Sequence, residues 1–158
     1  MGPTFTVRQL SPDDWEEFAR VRLECLQRAP EAFASRYESW VDAPQEQWRQ
    51  RLQNVAGNWL ALNGDIPVGL ISCSLPGDGS AQLMSLYVSA AARGQGVGDI
   101  LVQTVLDWSG SQPGVNRVEL GVFEDNLSAQ RLYLRHGFEF TAPATGQPRA
   151  ERAMVLPL

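Results

Sequence analysis

The feature that most constrains this chain is a glycine-rich turn between a predicted strand and a strongly amphipathic helix. The turn reads Arg93-Gly94-Gln95-Gly96-Val97-Gly98-Asp99. Such a turn leaves several backbone N–H groups pointing outward, and the helix that follows adds roughly half a positive charge at its N-terminus. Together these groups favour an anion such as a pyrophosphate, to which Arg93 can add a planar charged donor.

The residues after the turn predict the helix itself. Side chains suited to a buried face recur at helical spacing, at Val97, Ile100, Leu101, Thr104, Val105 and Trp108. No other segment of the chain has so clear an amphipathic pattern. The turn is therefore expected to be held rigidly by a packed helix.

The remaining segments predict a mixed α/β fold in the order β-α-α-β-β-β-α-β-α-β-β, without the strict alternation of a doubly wound parallel sheet. Helices are expected from Ser11 to Ala29, over Pro44–Asn54, from Val97, and from Asn126 to Gly137. Turn residues separate the predicted strands, which cover Thr4–Leu10, Asn58–Leu62, Pro67–Leu75, Ala81–Val88, Val115–Phe123, Phe138–Thr141 and Arg152–Leu156. Without repeats or linkers, residues 1–158 are expected to form a single domain.

Composition excludes several classes of function. The net charge of −5 argues against nucleic-acid binding, which needs a basic face. Cys25 and Cys73 lie in apolar patterns and are expected to be buried free thiols, and a single histidine without clustered ligands indicates no metal site. The N-terminal segment lacks a long apolar core and no apolar run approaches ~20 residues, so we expect no signal peptide, no membrane association and a cytoplasmic location.

The glycine spacing distinguishes between phosphate ligands. A P-loop would need a Lys-Ser/Thr pair, which is absent, and the dinucleotide pattern G-x-G-x-x-G is not completed from either Gly94 or Gly96. The pattern present is R-x-x-G-x-G, formed by Arg93, Gly96 and Gly98. Downstream, the segment Asn126–Phe138 reads N-x-x-A-x-x-L-Y-x-x-x-G-F, and Leu86-Tyr87-Val88 precedes the turn.

These motifs, in this order, resemble the GNAT superfamily of acetyl-CoA-dependent N-acetyltransferases. The resemblance implies a central, mostly antiparallel sheet with splayed central strands and about four flanking helices. It also implies transfer of the acetyl group from acetyl-CoA to a primary amine of a small molecule or peptide, by direct attack on the thioester. The coenzyme A contacts that it implies are Leu86, Tyr87, Val88, Arg93, Gly94, Gln95, Gly96, Val97, Gly98, Asp99, Asn126 and Ser128.

By the same resemblance, Tyr133 is the general acid that protonates the coenzyme A sulfur, and Leu86 or Tyr87 supplies a backbone donor to the thioester oxygen. The phenol and a thiol have reference pKa values of about 10 and 8.5, which are close enough for proton transfer. Two alternatives stay open: Tyr133 as a buried aromatic on a helix face, and Asn126 as an ordinary helix N-cap.

The general base is not identified, because the strand before Leu86 carries no carboxylate where many family members have a glutamate. Glu119, Glu31 and Tyr37 are candidates, and His136 is expected to be structural. Phe33 and Tyr37 are expected to line the acceptor pocket, with Trp40 beside them, unless these aromatics only pack their loop onto the core. A homodimer is expected from the family, and a non-catalytic acyl-CoA-binding domain is the alternative function.

Overall fold

A computed structural model describes residues 4–158 of the protein. The first three residues, on which the expectation of no signal peptide partly depends, lie outside the described part. The strands are β1 (Phe5–Gln9), β2 (Gly57–Asn63), β3 (Ile66–Ser74), β4 (Ser80–Val88), β5 (Arg117–Phe123), β6 (Glu139–Phe140) and β7 (Glu151–Pro157). The helices are α1 (Trp15–Arg28), α2 (Gln45–Asn54), α3 (Val97–Gly110) and α4 (Leu127–Arg135).

The predicted order of elements is confirmed, and most boundaries differ by one or two residues. The first predicted helix begins with a separate 3-10 turn, Pro12–Asp14, before α1. Two further 3-10 turns, Pro30–Ala32 and Tyr37–Ser39, lie in the segment between α1 and α2 that was expected to be a loop. Each of these short turns contains a backbone hydrogen bond of the i to i+3 type.

The seven strands form one sheet in the order β1-β2-β3-β4-β5-β7-β6. Every neighbouring pair is antiparallel except β4 and β5, which run parallel. The two-residue turn between β2 and β3 contains Gly64 with a φ of 62°, as predicted for this hairpin. The expected mixed α/β fold with a mostly antiparallel sheet is confirmed.

Hydrophobic residues cover both faces of this sheet. Along β2, Trp59 and Ala61 belong to the core beneath α3 and α4, while the intervening Leu60 belongs to the core beneath α1 and α2. This alternation is the period-two pattern of a strand buried on both sides. As expected, Cys25 and Cys73 are buried free thiols, one in each core.

Helix α3 turns a slightly different face to the sheet than its sequence pattern predicts. Val97, Leu101 and Val105 are buried as expected, but Ile100 is 38% exposed. The buried face instead includes Val102 and Ser109. The helix is thus rotated so that the neighbouring row of side chains contacts the strands. Periodicity alone does not predict this rotation, because both rows are apolar in the sequence.

Candidate active site

A cleft opens in the middle of the sheet because β4 and β5 separate. The two strands pair only between Ser80–Gln82 and Arg117–Glu119. β4 then continues to Val88 and β5 to Phe123 without a ladder between them. The backbone groups on the facing edges of these segments are therefore available to a ligand.

Two adjoining cavities occupy this cleft. The first, of about 640 Å³, contacts the glycine-rich turn, and we call it the loop cavity. The second, of about 420 Å³, lies between the ends of β4 and β5, and we call it the strand cavity. The two share lining residues at the point where they meet, namely Ala32, Phe33, Leu86, Asn126 and Ala129.

β4 carries a bulge where it borders the cleft. Its register against β3 changes from Leu70 opposite Tyr87 to Ser72 opposite Met84, so β4 has one residue more than its partner. Ser85 lies in this bulge with a φ of 62°, the only non-glycine residue with a positive φ among residues 4–158. A bulge bends the strand and redirects its backbone groups, which here face the separation between β4 and β5.

The glycine-rich turn has the geometry that an anion site requires. Gly94 and Gly96 have φ values of 75° and 84°, and Gly96 is the N-cap of α3. Only glycine adopts this left-handed conformation without strain, which explains both positions. Gly98 serves packing instead, because a Cβ atom there would lie 3.1 Å from Leu132 Cδ2 on α4. The first N–H groups of α3 thus open into the loop cavity, which Gly94, Gly96 and Gly98 line.

The side chains around this turn are partly committed to the protein. Arg93 Nε donates to the carbonyl of Val88 at 3.0 Å, so its terminal nitrogens remain for a ligand, and Arg93 lines the loop cavity. Gln95 donates to the carbonyl of Ala91 at 3.0 Å and is not part of the lining. Of the predicted turn residues, the structure therefore leaves Gln95 outside the cavity.

Asp99 connects α3 to the C-terminal end of α4 through its side-chain contacts. Its carboxylate lies 2.9 Å from His136 Nε2 and 3.2 Å from an Arg135 nitrogen. Partial burial alone would raise the pKa of Asp99, but hydrogen bonds from His136 and Arg135 outweigh it and hold that pKa below 3.8. Asp99 lines the loop cavity, yet a carboxylate is a poor partner for phosphate, and its contacts assign it a structural role. The same contact accounts for His136, which was expected to be structural.

Tyr133 lies on α4 with its ring in the core and its edge at the strand cavity. The residue is 6% exposed, and its ring meets Phe138 edge-to-face at 5.8 Å between centroids. Burial raises the pKa of its phenol far above the usual range, so in this structure the gap between the phenol and a thiol is wider than their reference pKa values suggest. Tyr133 is thus both a core aromatic and a cavity-lining donor, and its catalytic role stays a prediction.

The start of α4 supplies polar groups to both cavities. Asn126 caps the helix, its side-chain oxygen accepting from the N–H of Ala129 at 3.2 Å. Its amide nitrogen is not used by this cap, and Asn126 lines both cavities. Ser128 lines the loop cavity. The capping role and a ligand-binding role of Asn126 are therefore compatible.

The loop cavity is lined by Leu86, Tyr87 and Val88, but Tyr87 does not reach it through its side chain. Tyr87 sends its side chain into the core beneath α1, where its hydroxyl donates to Glu24 at 2.8 Å. Ser89 donates to the same Glu24 oxygen at 2.7 Å. Burial and the Glu24 contact raise the pKa of Tyr87 to about 12. Tyr87 can thus serve the cavity only through its backbone.

Of the predicted acceptor-side aromatics, the structure brings only Phe33 to the cleft, where it lines both cavities. Tyr37 and Trp40 pack against the core beneath α1 and α2 and line neither cavity. The ring of Trp40 packs against that of Trp48 at an interplanar angle of 46°, with 4.8 Å between the ring centroids. These two residues therefore pack their loop onto the core and do not line the cleft.

The candidate bases from the sequence are poorly placed. Glu119 accepts from Arg117 Nε at 2.8 Å and from Gln82 Nε2 at 2.7 Å, and these bonds lower the pKa of its carboxyl group. It lines neither cavity, and Glu31 lines only the loop cavity. A carboxylate already held by two donors is a weak proton acceptor.

Sequence reasoning missed two charged residues of the strand cavity, Arg22 and Glu151. Glu151 begins β7 opposite Phe123, and its carboxylate covers Gly121 so closely that a Cβ atom there would lie 3.1 Å from Glu151 Oε2. The position follows from the β5–β7 register, for which the sequence carries no signal. Arg22 lies within an ordinary amphipathic helix pattern, and no feature of the sequence marks it as a cavity residue.

Hydrogen bonds and a cation–π contact hold the segment between β6 and β7 across the end of the cleft. Glu124, just after β5, accepts from the N–H groups of Thr145 at 2.8 Å and Gly146 at 3.2 Å. Arg149 stacks over the ring of Phe123 at 4.0 Å and donates to the carbonyl of Glu31. These contacts join the β6–β7 segment to the segment after α1 on either side of the cavities.

Within residues 4–158, no group of three or more His, Cys, Asp or Glu side chains is arranged to hold a metal ion. None of the helices in this part of the chain has both the length and the hydropathy needed to cross a bilayer.

Comparison with known proteins now decides the family. The sequence model of the acetyltransferase (GNAT) family matches residues 15–138, well over half of the chain. The chain belongs to the GNAT acetyltransferase family. This match includes the glycine-rich turn, the separated strands and Tyr133, and it confirms the resemblance seen in the sequence motifs.

Individual relatives of this GNAT protein are more distant. N-acetyltransferase 8B of Rattus norvegicus is 37% identical over 92 residues, which are 54% of this chain but only 40% of that protein. An acetyltransferase of the GNAT family from Streptococcus pneumoniae superposes with a TM-score of 0.81 at 15% identity, over 98% of this chain and 99% of that one. Arabidopsis thaliana NAA60, solved in complex with acetyl-CoA, superposes with a TM-score of 0.73 at 20% identity, over 98% and 100%. The two structures share the fold.

Proposed function

We propose that this protein is an N-acetyltransferase that moves the acetyl group of acetyl-CoA to a primary amine of a small molecule or peptide. The observation that carries the proposal is the continuous cleft between β4 and β5, with an anion-binding turn at one end and Tyr133 at the other. Membership of the acetyltransferase family and the N-acetyltransferase names of its curated relatives support it.

The loop cavity has the groups needed to hold coenzyme A. The turn at Gly94 and Gly96 opens the free N–H groups of α3 toward a pyrophosphate, and Arg93 adds a cation beside them. The unpaired edge of β4 from Leu86 to Val88 can bond the amide groups of an extended arm, as a further strand would. Asn126 faces the same path from α4.

At the meeting point of the cavities, the residues can assist transfer in two ways. When bound, acetyl-CoA supplies an activated acyl group whose C–S bond breaks as the amine forms a C–N bond. A backbone N–H near the Ser85 bulge donates to the acyl oxygen, which gains negative charge as the amine attacks. The Tyr133 hydroxyl, which lines the strand cavity and is protonated at neutral pH, donates a proton to the departing sulfur.

The amine must also lose a proton, and Glu151 is the best-placed group to take it. It is the only carboxylate lining the strand cavity within residues 4–158. Because residue 121 is glycine, the Glu151 carboxylate can reach across β5 without obstruction. Glu151 thus occupies the role for which the strand before Leu86 provides no acidic side chain.

The test begins with titration calorimetry of acetyl-CoA into the wild type and an Arg93→Ala/Gly96→Ala double variant. We expect binding by the wild type and its loss in the double variant. Turnover with a panel of amines is then compared for Tyr133→Phe and for Tyr37→Phe, a matched control whose ring lies away from both cavities.

Loss of the Tyr133 hydroxyl should reduce kcat by about 10²- to 10⁴-fold, the usual contribution of a general acid, while acetyl-CoA binding persists. The control variant should match the wild type. Absence of acetyl-CoA binding in the wild type would refute the proposal. Binding without turnover of any amine would instead identify a non-catalytic acyl-CoA-binding protein.

A further inference from the structure

The strand cavity contains a buried cation that the proposed mechanism does not use. Arg22, on α1, is only 7% exposed and lines this cavity. One of its terminal nitrogens lies 3.4 Å from Cys25 Sγ, a weak acceptor, and its guanidinium group lies 5.1 Å from the centre of the Phe33 ring. These neutral contacts hold the group in place but do not neutralise its charge.

Within residues 4–158, Arg22 forms no ion pair with a carboxylate. Arg51 adds a charge of the same sign nearby, since Arg22 contributes, after burial itself, to lowering the pKa of Arg51 to about 10. Buried charges are normally paired, because removing an ion from water without a partner costs free energy. Within residues 4–158, each side-chain nitrogen of Arg22 either forms a hydrogen bond or is accessible to solvent. The N–H groups of Arg22 that form no hydrogen bond are therefore open to the cavity.

The second charge in the cavity has the opposite sign. Glu151 lines the same space from β7, and in the proposed function it faces the amine that is acetylated. A cavity with one buried arginine and one carboxylate is complementary to a molecule that carries both an ammonium and an anionic group. The flat fork of a guanidinium matches a carboxylate through two parallel hydrogen bonds.

We propose that the acceptor amine of this enzyme carries a carboxylate group, and that Arg22 binds this carboxylate while the amine faces Glu151. The inference rests on the proposed acetyl transfer and specifies its substrate class. The carboxylate can come from a free amino acid or from an acidic side chain near the N-terminus of a peptide. Both sources present the same chemistry to Arg22.

The experiment compares matched amines that differ only in this charge. One arm uses L-α-amino acids against the corresponding α-amino amides. The other uses short C-terminally amidated peptides with Asp or Glu against Asn or Gln at the second position. In at least one arm, the acid should have a kcat/KM about 10- to 100-fold higher than its neutral partner, as expected for a hydrogen bond to a charged group.

Variants then assign the preference to Arg22. Arg22→Gln should remove the preference, because it lowers kcat/KM for the acid more than for its neutral partner and brings the ratio of the two values close to one. Arg20→Gln is the matched control, because it removes the same charge from the same helix at an exposed position. Thermal unfolding shows whether the Arg22 variant folds. If it does not, the selectivity of the wild type still decides the test.

Three outcomes would overturn the inference: equal turnover of acids and amides by the wild type, a preference that survives Arg22→Gln, or turnover of neutral amines only. In each of these the acetyltransferase proposal stands. Failure of the wild type to bind acetyl-CoA would refute the proposed function itself, and the inference with it. Titration with acetyl-CoA before the amine panel separates the two failures.

Discussion

Gly96 and Gly98 lie two residues apart in the same motif, but the structure predicts a larger loss of stability on substitution by alanine at Gly96 than at Gly98. Gly96 has a φ of 84°, and no atom lies within 4 Å of the Cβ that alanine would add. The cost of Gly96→Ala is therefore purely conformational, about 1–2 kcal/mol for an L-residue held in the left-handed region. For a chain of this size, that corresponds to a fall in Tm of roughly 2–8 °C.

Gly98 has ordinary helical backbone angles, so alanine is conformationally favoured there by up to about 1 kcal/mol. The added Cβ would lie 3.1 Å from Leu132 Cδ2, the flexible end of a side chain that can move by a few tenths of an ångström. The two effects oppose each other, and the net change for Gly98→Ala should stay below about 1 kcal/mol.

Urea and thermal unfolding of the two variants, without ligand, measure the difference directly. The reasoning is refuted if Gly96→Ala unfolds within 1 °C (roughly 0.3 kcal/mol) of the wild type, or if Gly98→Ala is the less stable of the two. The first result would mean that the turn relaxes to another conformation. The second would mean that Leu132 is too tightly packed to move.

Two further predictions concern carboxylates. Asp99→Asn should lower the free energy of unfolding at neutral pH. Because the folded-state contacts lower the pKa of Asp99 from its usual value, its contribution is present above that usual value and is lost as the pH falls through the folded-state pKa, so the urea midpoints of wild type and variant should converge on acidification. A constant difference as the pH falls would contradict the contact with His136. Glu151→Gln should lower kcat/KM by roughly 10²-fold, whereas Glu139→Gln, an exposed change on the adjacent strand, should leave it unchanged. Equal values of kcat/KM for the Glu151→Gln and Glu139→Gln variants in steady-state assays would exclude Glu151 as the proton acceptor.

Local sequence determined much of this protein. The capping residue Asn126, the hairpin glycine Gly64 and the helix-ending Gly137 act through contacts within a few residues, and the structure contains each as expected. Such features can be predicted because they depend on backbone conformation and on hydrogen bonds between near neighbours.

Tertiary structure decided what surrounds the reacting groups. Tyr87 lies in the predicted motif, but the β3–β4 register and its bulge direct its side chain to Glu24 on α1, 63 residues away in the sequence. Tyr37 looked like a pocket residue and packs into the core instead. Which face a strand residue occupies depends on its pairing register, which a single sequence does not specify.

The charges of the strand cavity are the clearest case of this division. Arg22 comes from α1 and Glu151 from β7, and only the separation of β4 from β5 places them around one space. The sequence by itself determined the family, the glycine-rich turn and the candidate acid, since these lie in contiguous motifs. The charges that would select an acceptor were decided by the tertiary structure, because they are set by contacts between segments more than a hundred residues apart.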